Sequence, residues 1–145
     1  MATVHDVLSA KGAGLLTVDA GLSVLHATQL MNEHKIGAVV VLEDGRVAGI
    51  FTERDVLARV VAPQAAPADT MVGDVMTREV ICCEPDTDLD EISAIMKNSR
   101  IRHLPVCGTG GQLIGLVSIG DVNAHYASNQ AQTIHFLSDY IYGRV

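Results

Sequence analysis

Two short segments of this chain place a hydroxyl and a carboxylate three residues apart: Thr52-Glu53-Arg54-Asp55 and Ser118-Ile119-Gly120-Asp121. Each follows a glycine-led apolar run, Gly49-Ile50-Phe51 and Gly115-Leu116-Val117. On a helix that starts at Thr52 or Ser118, residues three apart share a face. The hydroxyl can then donate to a phosphate oxygen, where the free N–H groups and partial positive charge of the helix start already attract an anion. The carboxylate can accept two hydrogen bonds from a vicinal diol, such as the 2′- and 3′-hydroxyls of ribose. Gly49 lets another group approach the backbone closely. The same spacing also makes a capping box, in which both side chains serve only the helix's own N–H groups. The residues alone leave the two readings open, because a duplication copies a cap as readily as a ligand site.

The elements that must position these groups are themselves repeated. Ile36-Gly37-Ala38-Val39-Val40-Val41 aligns with Ile101-Arg102-His103-Leu104-Pro105-Val106 at an offset of 65 residues. The two motifs align at 66, and Val4-His5-Asp6-Val7-Leu8 matches Val72-Gly73-Asp74-Val75-Met76 upstream. Each copy reads as β-α-β-β-α. The predicted strands open at residues 15–18 and 80–83, followed by helices over 23–34 and 89–98, where Val24, Ala27, Leu30 and Met31 recur at helical spacing. Two strands joined by a tight turn come next, and helices over 53–61 and 119–128 close the copies. The acids Asp86, Asp88, Asp90 and Glu91 fit capping and helix-dipole placement. The boundaries are a first unit at residues 1–62, an Ala/Pro linker at 63–69, a second unit at 70–128 and a helical tail at 129–145.

Composition narrows the function. The chain has 145 residues, no Trp, and 17 acids against 10 Lys and Arg, a formal charge of −7. The core must be aliphatic, and the charge argues against a nucleic-acid surface. No apolar run approaches the ~20 residues needed to cross a bilayer, and the N-terminus lacks the pattern of a signal peptide. The expectation is a cytoplasmic protein without membrane or nucleic-acid partners. Three cysteines, two of them adjacent, argue against a disulfide framework. Cys82 and Cys83 read as packing residues in a buried strand, with a redox switch as the alternative.

Two units of about 60 residues, each ending in Gly-apolar-x-(Thr/Ser)-x-x-Asp, resemble a tandem pair of CBS domains, also called a Bateman module. The Ile101–Val106 segment and Asp74-Val75-Met76 strengthen the likeness, which covers nearly the whole chain. The resemblance implies an α/β (α+β) fold of two pseudo-twofold-related units packed through their sheets. It also implies adenosine-containing ligands in clefts between the units: AMP, favoured here, or ADP, ATP, NAD(H) or S-adenosylmethionine. By similarity, Asp55 and Asp121 would hold ribose hydroxyls, and Thr52 and Ser118 would face ribose or phosphate. Groups near Thr17, Val18, Ala38 and Val39 would enclose one base. Cys82, Cys83, His103 and Leu104, with Pro105 beside them, would enclose the other.

The two sites are not equal. Arg54 sits beside Asp55 where the second unit has Gly120, and Arg102 and His103 stand where the first unit has Gly37 and Ala38. The pseudo-twofold arrangement that the resemblance implies lets these cations reach phosphate held by the other unit, so the favoured site is that of Asp55, with Arg54, Arg102 and His103 neutralising phosphate and Glu53 opposing it unless turned away. His103 as a general base lacks a visible nucleophile, and the other histidines show no metal-ligand spacing. The expectation is a regulatory module with no catalytic residue, no catalytic cofactor and no metal site, acting as a homodimer on an effector protein. The alternative is a dimeric interaction module with vestigial clefts. The tail carries Phe136, Tyr140, Tyr142, Ile134, Leu137 and Ile141 beyond Tyr126. It either folds back on its own unit or forms a dimer surface.

Overall fold

The computed structural model describes residues 2–12 and 14–142, and the side chains of residues 131–133, 135–136 and 138–142 are not described. The expected contacts of Phe136, Tyr140, Ile141 and Tyr142 therefore lie outside the described residues.

The first unit runs α1 (Val4–Lys11), β1 (Thr17–Asp19), α2 (Val24–His34), β2 (Ala38–Glu43), β3 (Arg46–Thr52) and α3 (Glu53–Asp55). α3 continues as a π-helical segment, Val56–Val61, in which the Ala62 N–H bonds the Leu57 carbonyl. A 3-10 turn at Pro67–Asp69 leads into the second unit: α4 (Val72–Val75), α5 (Leu89–Ser99), β4 (His103–Cys107), β5 (Leu113–Ser118) and α6 (Ile119–Tyr142). α6 crosses residue 128 without a break, so the closing helix and the tail are one element.

The expected strand at 80–83 is absent, and only Cys83 bridges β4, opposite Val106. In the first unit β1 pairs with β2 over three residues. The difference has a cause in Pro105, which occupies the place of Val40 in the repeat. Cys83 donates its N–H to the Pro105 carbonyl, and the Cys107 N–H reaches the Cys83 carbonyl. Proline has no N–H to extend the ladder back toward Ile81.

β2 is buried on both faces. Val39 and Val41 face a core formed with α2, while Ala38 and Val40 join Ile50 and Leu116 in a second cluster between the two sheets. The units therefore pack through their sheets, as the resemblance implied. Alternation along one strand feeds both layers.

The opening helices are exchanged. Val4 and Val7 of α1 are buried in the second unit's core with Leu89, Ile92 and Leu104. Val72 and Val75 of α4 are buried in the first unit's core with Val24, Phe51 and Val60. Backbone bonds fix both docks: the Val4 N–H to the Thr87 carbonyl at 3.0 Å, and the Val72 N–H to the Leu22 carbonyl at 2.8 Å. Neither core is complete without the other unit's first helix.

Candidate functional site

Both Thr/Ser-x-x-Asp motifs form capping boxes. The Thr52 N–H donates to Asp55 Oδ2 at 3.0 Å, the Thr52 hydroxyl reaches the same oxygen at 3.3 Å, and the Asp55 N–H returns to Thr52 Oγ1 at 3.3 Å. In the second unit the Ser118 N–H donates to Asp121 Oδ2 at 2.9 Å, and the Asp121 N–H to Ser118 Oγ at 3.1 Å. The capping reading is thus realised in both copies. It does not use up the carboxylates, since each keeps lone pairs for a second partner.

Those second partners differ. Asp55 is buried, and its Oδ1 accepts the Thr77 hydroxyl at 3.1 Å, with Arg59 Nε 3.9 Å away. Thr77 belongs to the segment after α4 and is held by reciprocal backbone bonds with Ile50, both 2.9 Å. Asp121 instead receives Lys11 Nζ at 2.9 Å, and the same ammonium donates to the Leu116 carbonyl at 3.0 Å. Lys11 ends α1, so the helix exchange brings it there. Burial alone would raise the Asp121 pKa, but the Ser118 N–H and Lys11 together hold the carboxyl below the ordinary 3.8. Neither Thr77 nor Lys11 was singled out from the sequence. Their signal was the repeat-matched opening segments, but sequence spacing does not tell which unit a short helix will join.

A cleft lies at each motif. The larger, about 720 Å³, is lined by Ser118 and Asp121, by Leu15, Leu16, Ile36, Gly37 and Ala38 of the first unit, and by Lys11, Lys35 and His103. The other, about 590 Å³, is lined by Thr52, Arg54 and Asp55 of the first unit with Arg59. From the second unit it takes Thr77, Glu79, Val80, Ile81, Arg100, Ile101, Arg102 and His103. Both volumes suit a small organic ligand. Each cleft combines the motif of one unit with the β-strand start of the other.

The structure therefore brings Thr52, Arg54, Asp55, Arg102 and His103 together, and Ala38, Ser118, Asp121 and His103 together. It does not bring Thr17, Val18, Val39, Cys82, Cys83, Leu104 or Pro105 to either cleft. Val18, Val39, Cys83 and Leu104 are buried on the helical face of their sheets. A strand that aims Ala38 or His103 at a cleft must aim the next residue the other way. Pro105 is buried, Thr17 half-buried, and Cys82 exposed away from the clefts. The apolar walls come instead from Leu15, Leu16 and Ile36, and from Val80, Ile81 and Ile101.

The titrating groups follow their surroundings. Burial holds the His103 imidazole below its ordinary 6.5, and Lys11 pushes the same way against Glu53 and Asp121. Burial pushes the Cys83 thiol up to about 11, and the Cys82 thiol, exposed but partly desolvated beside Cys107, is raised to about 11 as well. Among the described residues no cluster of three or more His, Cys, Asp or Glu is placed to hold a metal ion, and no helix is long and apolar enough to cross a membrane.

The CBS-domain family model matches residues 4–62 and again residues 72–128. The chain belongs to the CBS-domain family. This CBS pair is similar to the CBS domain-containing protein YhcV of Bacillus subtilis, at 32% identity over 90% of each chain. It is similar in structure to the CBS-domain containing protein ATU1752 of Agrobacterium tumefaciens, at 42% identity and a TM-score of 0.80, covering 86% of this chain and 99% of that one. The CBS domain pair of protein MJ0100, solved in complex with 5′-methylthioadenosine and S-adenosyl-L-methionine, shares the fold at a TM-score of 0.77 and 22% identity, over 88% and 98% of the two chains.

Proposed function

We propose that this CBS pair is a regulatory module that holds an adenosine 5′-phosphate compound, with AMP as the minimal ligand, in the cleft at Asp55. The observation that carries the reading is convergence: Arg54 comes from one unit, Arg102 and His103 from the other, and all three line the cleft that holds Thr52 and the buried Asp55. A charge-assisted hydrogen bond to phosphate contributes roughly 1.5–3 kcal/mol, enough to hold a small anion locally in a chain of net charge −7. The adenosyl ligands of the MJ0100 pair support the same ligand class.

Signalling follows from the second partner of Asp55. A ribose diol that takes Asp55 Oδ1 competes with the Thr77 hydroxyl. Thr77 is tied to Ile50 and lies directly after α4, whose Val72 and Val75 complete the first unit's core. Ligand thus biases the docking of an exchanged helix, and an effector protein reads the two states by their different affinities. The module is not catalytic, because its motif carboxylates serve as caps and diol acceptors rather than as free acid and base. It acts as a homodimer in the cytoplasm. Leu57 and Val61, 64% and 58% exposed on the closing helix of the first unit, supply apolar surface for a second copy. Free thiols at Cys82, Cys83 and Cys107 suit a reducing compartment.

One observation favours a second reading. Both motif carboxylates are already satisfied within the protein, Asp55 by Thr77 and Asp121 by Lys11. On that reading the clefts are vestigial and the chain is an interaction module. Thermal unfolding with AMP, ADP, ATP, NAD and S-adenosylmethionine separates the two. A ligand at 100 times its dissociation constant adds about 2.7 kcal/mol, or roughly 5–10 °C in a domain of this size. No shift with any of the five supports the interaction module.

A further inference from the structure

We propose that Arg59 is a latch that keeps the exchanged helix α4 docked against the pull of a ligand at Asp55, a positioning residue that sets how readily that cleft takes ribose. The inference rests on the reading that a ribose diol displaces the Thr77 hydroxyl from Asp55, and it adds the contact that resists the displacement.

α4 spans only Val72–Val75, and a helix of one turn does not hold itself together. At its start the Val72 and Gly73 N–H groups donate to the Leu22 and Ala20 carbonyls of the first unit, both at 2.8 Å. At its end the last carbonyls have no partner within the helix. Arg59 Nη1 donates to those of Val75 and Met76, at 3.1 and 2.8 Å. Arg59 lies in the π-helical segment that continues α3, a form met mostly as short inserts at functional sites.

The Arg59 Nε lies 3.9 Å from Asp55 Oδ1, the oxygen that also accepts the Thr77 hydroxyl. One corner of the cleft thus fastens the α4 segment in two ways. The Thr77 bond uses the oxygen that ribose would take, so ligand removes it. The Arg59 bonds use backbone carbonyls, so they outlast that exchange. Arg78 also donates to the Gly73 carbonyl, at 3.0 Å, but its contact with the first unit is an exposed pair with Glu43 at 3.9 Å, which contributes little.

The second copy of the repeat is fastened otherwise. At the offset that aligns Asp55 with Asp121, Arg59 falls on His125, whose imidazole is hydrogen-bonded to Asn129 of its own helix at 3.2 Å. α1 runs eight residues and ends on Gly12, whose N–H returns to the Leu8 carbonyl. Its own Lys11 ties it to Asp121 and to the Leu116 carbonyl. The fold therefore does not require an arginine at this place in the repeat, and Arg59 serves the Asp55 cleft in particular.

Binding and docking are linked reciprocally: if ligand loosens α4, loosening α4 must favour ligand. Isothermal titration of adenosine, which carries no phosphate for Arg59 to meet, and amide hydrogen exchange at Val72 and Gly73 test the latch in wild type and Arg59→Met. Without ligand, both amides are expected to exchange at least about threefold faster in the variant. Adenosine is expected to bind the variant at least about threefold tighter, although the variant unfolds at lower urea. Arg59→Lys, which keeps a cationic donor, is expected to fall between the two proteins on both readouts. Lower stability with adenosine affinity unchanged or weaker overturns the latch and leaves the adenosine site standing, and so does unchanged exchange at Val72 and Gly73. Weaker AMP binding with unchanged adenosine binding makes Arg59 a phosphate contact and likewise overturns it. Adenosine binding to none of the three proteins overturns the ribose reading and the latch with it.

Discussion

Lys11 Nζ lies 2.9 Å from Asp121 Oδ2, so the second motif's carboxylate is ion-paired by the last residue of the first unit's opening helix. The equivalent carboxylate, Asp55, has a neutral hydroxyl, Thr77, as its second partner. The same motif is therefore embedded in two electrostatic settings, and the difference arises from helix exchange.

Replacing Lys11 with Met isolates that pair. The ammonium is partly exposed, so the expected loss is about 0.5–1 kcal/mol in urea unfolding at neutral pH. Asp121 has a depressed pKa in the folded state, so its stabilisation is present above the ordinary 3.8 and disappears as pH falls through the lower folded value. The gap between wild type and variant should close in that acid window. A gap that stays constant with pH contradicts the pairing.

His103 gives the opposite sign. Its folded pKa lies below the unfolded 6.5, so the unfolded chain binds the proton more readily. Stability contributed by neutral His103 is present above about 6.5 and is lost as pH falls below it. Urea midpoints measured between neutral pH and pH 5 should fall less in His103→Gln than in the wild type. Phosphate binding should run the other way, strengthening at lower pH as the imidazole gains charge, and a nucleotide titration across the same range reads it.

Gly49 and Gly115 form a matched pair at the two sheets. A Cβ on Gly49 would lie 2.4 Å from the Thr77 carbonyl oxygen and 3.0 Å from Met76 Sδ. Backbone cannot yield there without breaking the Ile50–Thr77 bonds, so Gly49→Ala should cost about 3 kcal/mol. A Cβ on Gly115 meets Leu8 side-chain carbons at 3.0 and 3.2 Å, which can rotate. Gly115→Ala should cost about 1 kcal/mol. Calorimetric melting of both variants checks the order, and equal costs refute the close approach of Thr77 to the Asp55 cleft.

Much of this architecture was legible in the chain because the repeat compares itself. The offset of 65–66 residues located both motifs, and Thr52, Arg54, Asp55, Arg102 and His103 do share a cleft. What was not legible depended on tertiary choices. The apolar face of Val4 and Val7 predicts a helix that must be buried, but not that it is buried in the other unit. The run from Val80 to Cys83 has strand composition, yet its partner is Pro105, which cannot donate. The apolar walls of the clefts begin about two positions before the expected residues, at Leu15 and Leu16 rather than Thr17 and Val18, and at Val80 and Ile81 rather than Cys82 and Cys83. Val39 and Leu104 directly follow Ala38 and His103, and the strand's pleat turns them away from the clefts.

The cysteines should be slow to react. Cys83 is buried and Cys82 is exposed, but partial desolvation and neighbouring thiols raise both to about 11, so thiolate is scarce at neutral pH. Timed alkylation of folded protein should modify both much more slowly than urea-unfolded protein, with the rate climbing as pH approaches 11. Fast labelling of Cys82 at pH 7 would instead favour a redox role.

On the proposed reading, Asp55 holds the ribose of an adenosine nucleotide between the two units. Because Asp55 also caps α3 and binds Thr77, truncation to Ala confounds folding with binding, whereas Asp55→Asn keeps the shape and one acceptor oxygen. Isothermal titration of AMP into wild type and Asp55→Asn, each confirmed folded by its melting transition, is the direct measurement. The expected result is one AMP per chain in the wild type and a loss of at least about tenfold in affinity in the variant, or about 1.4 kcal/mol. AMP binding of equal strength in the folded Asp55→Asn protein would contradict it.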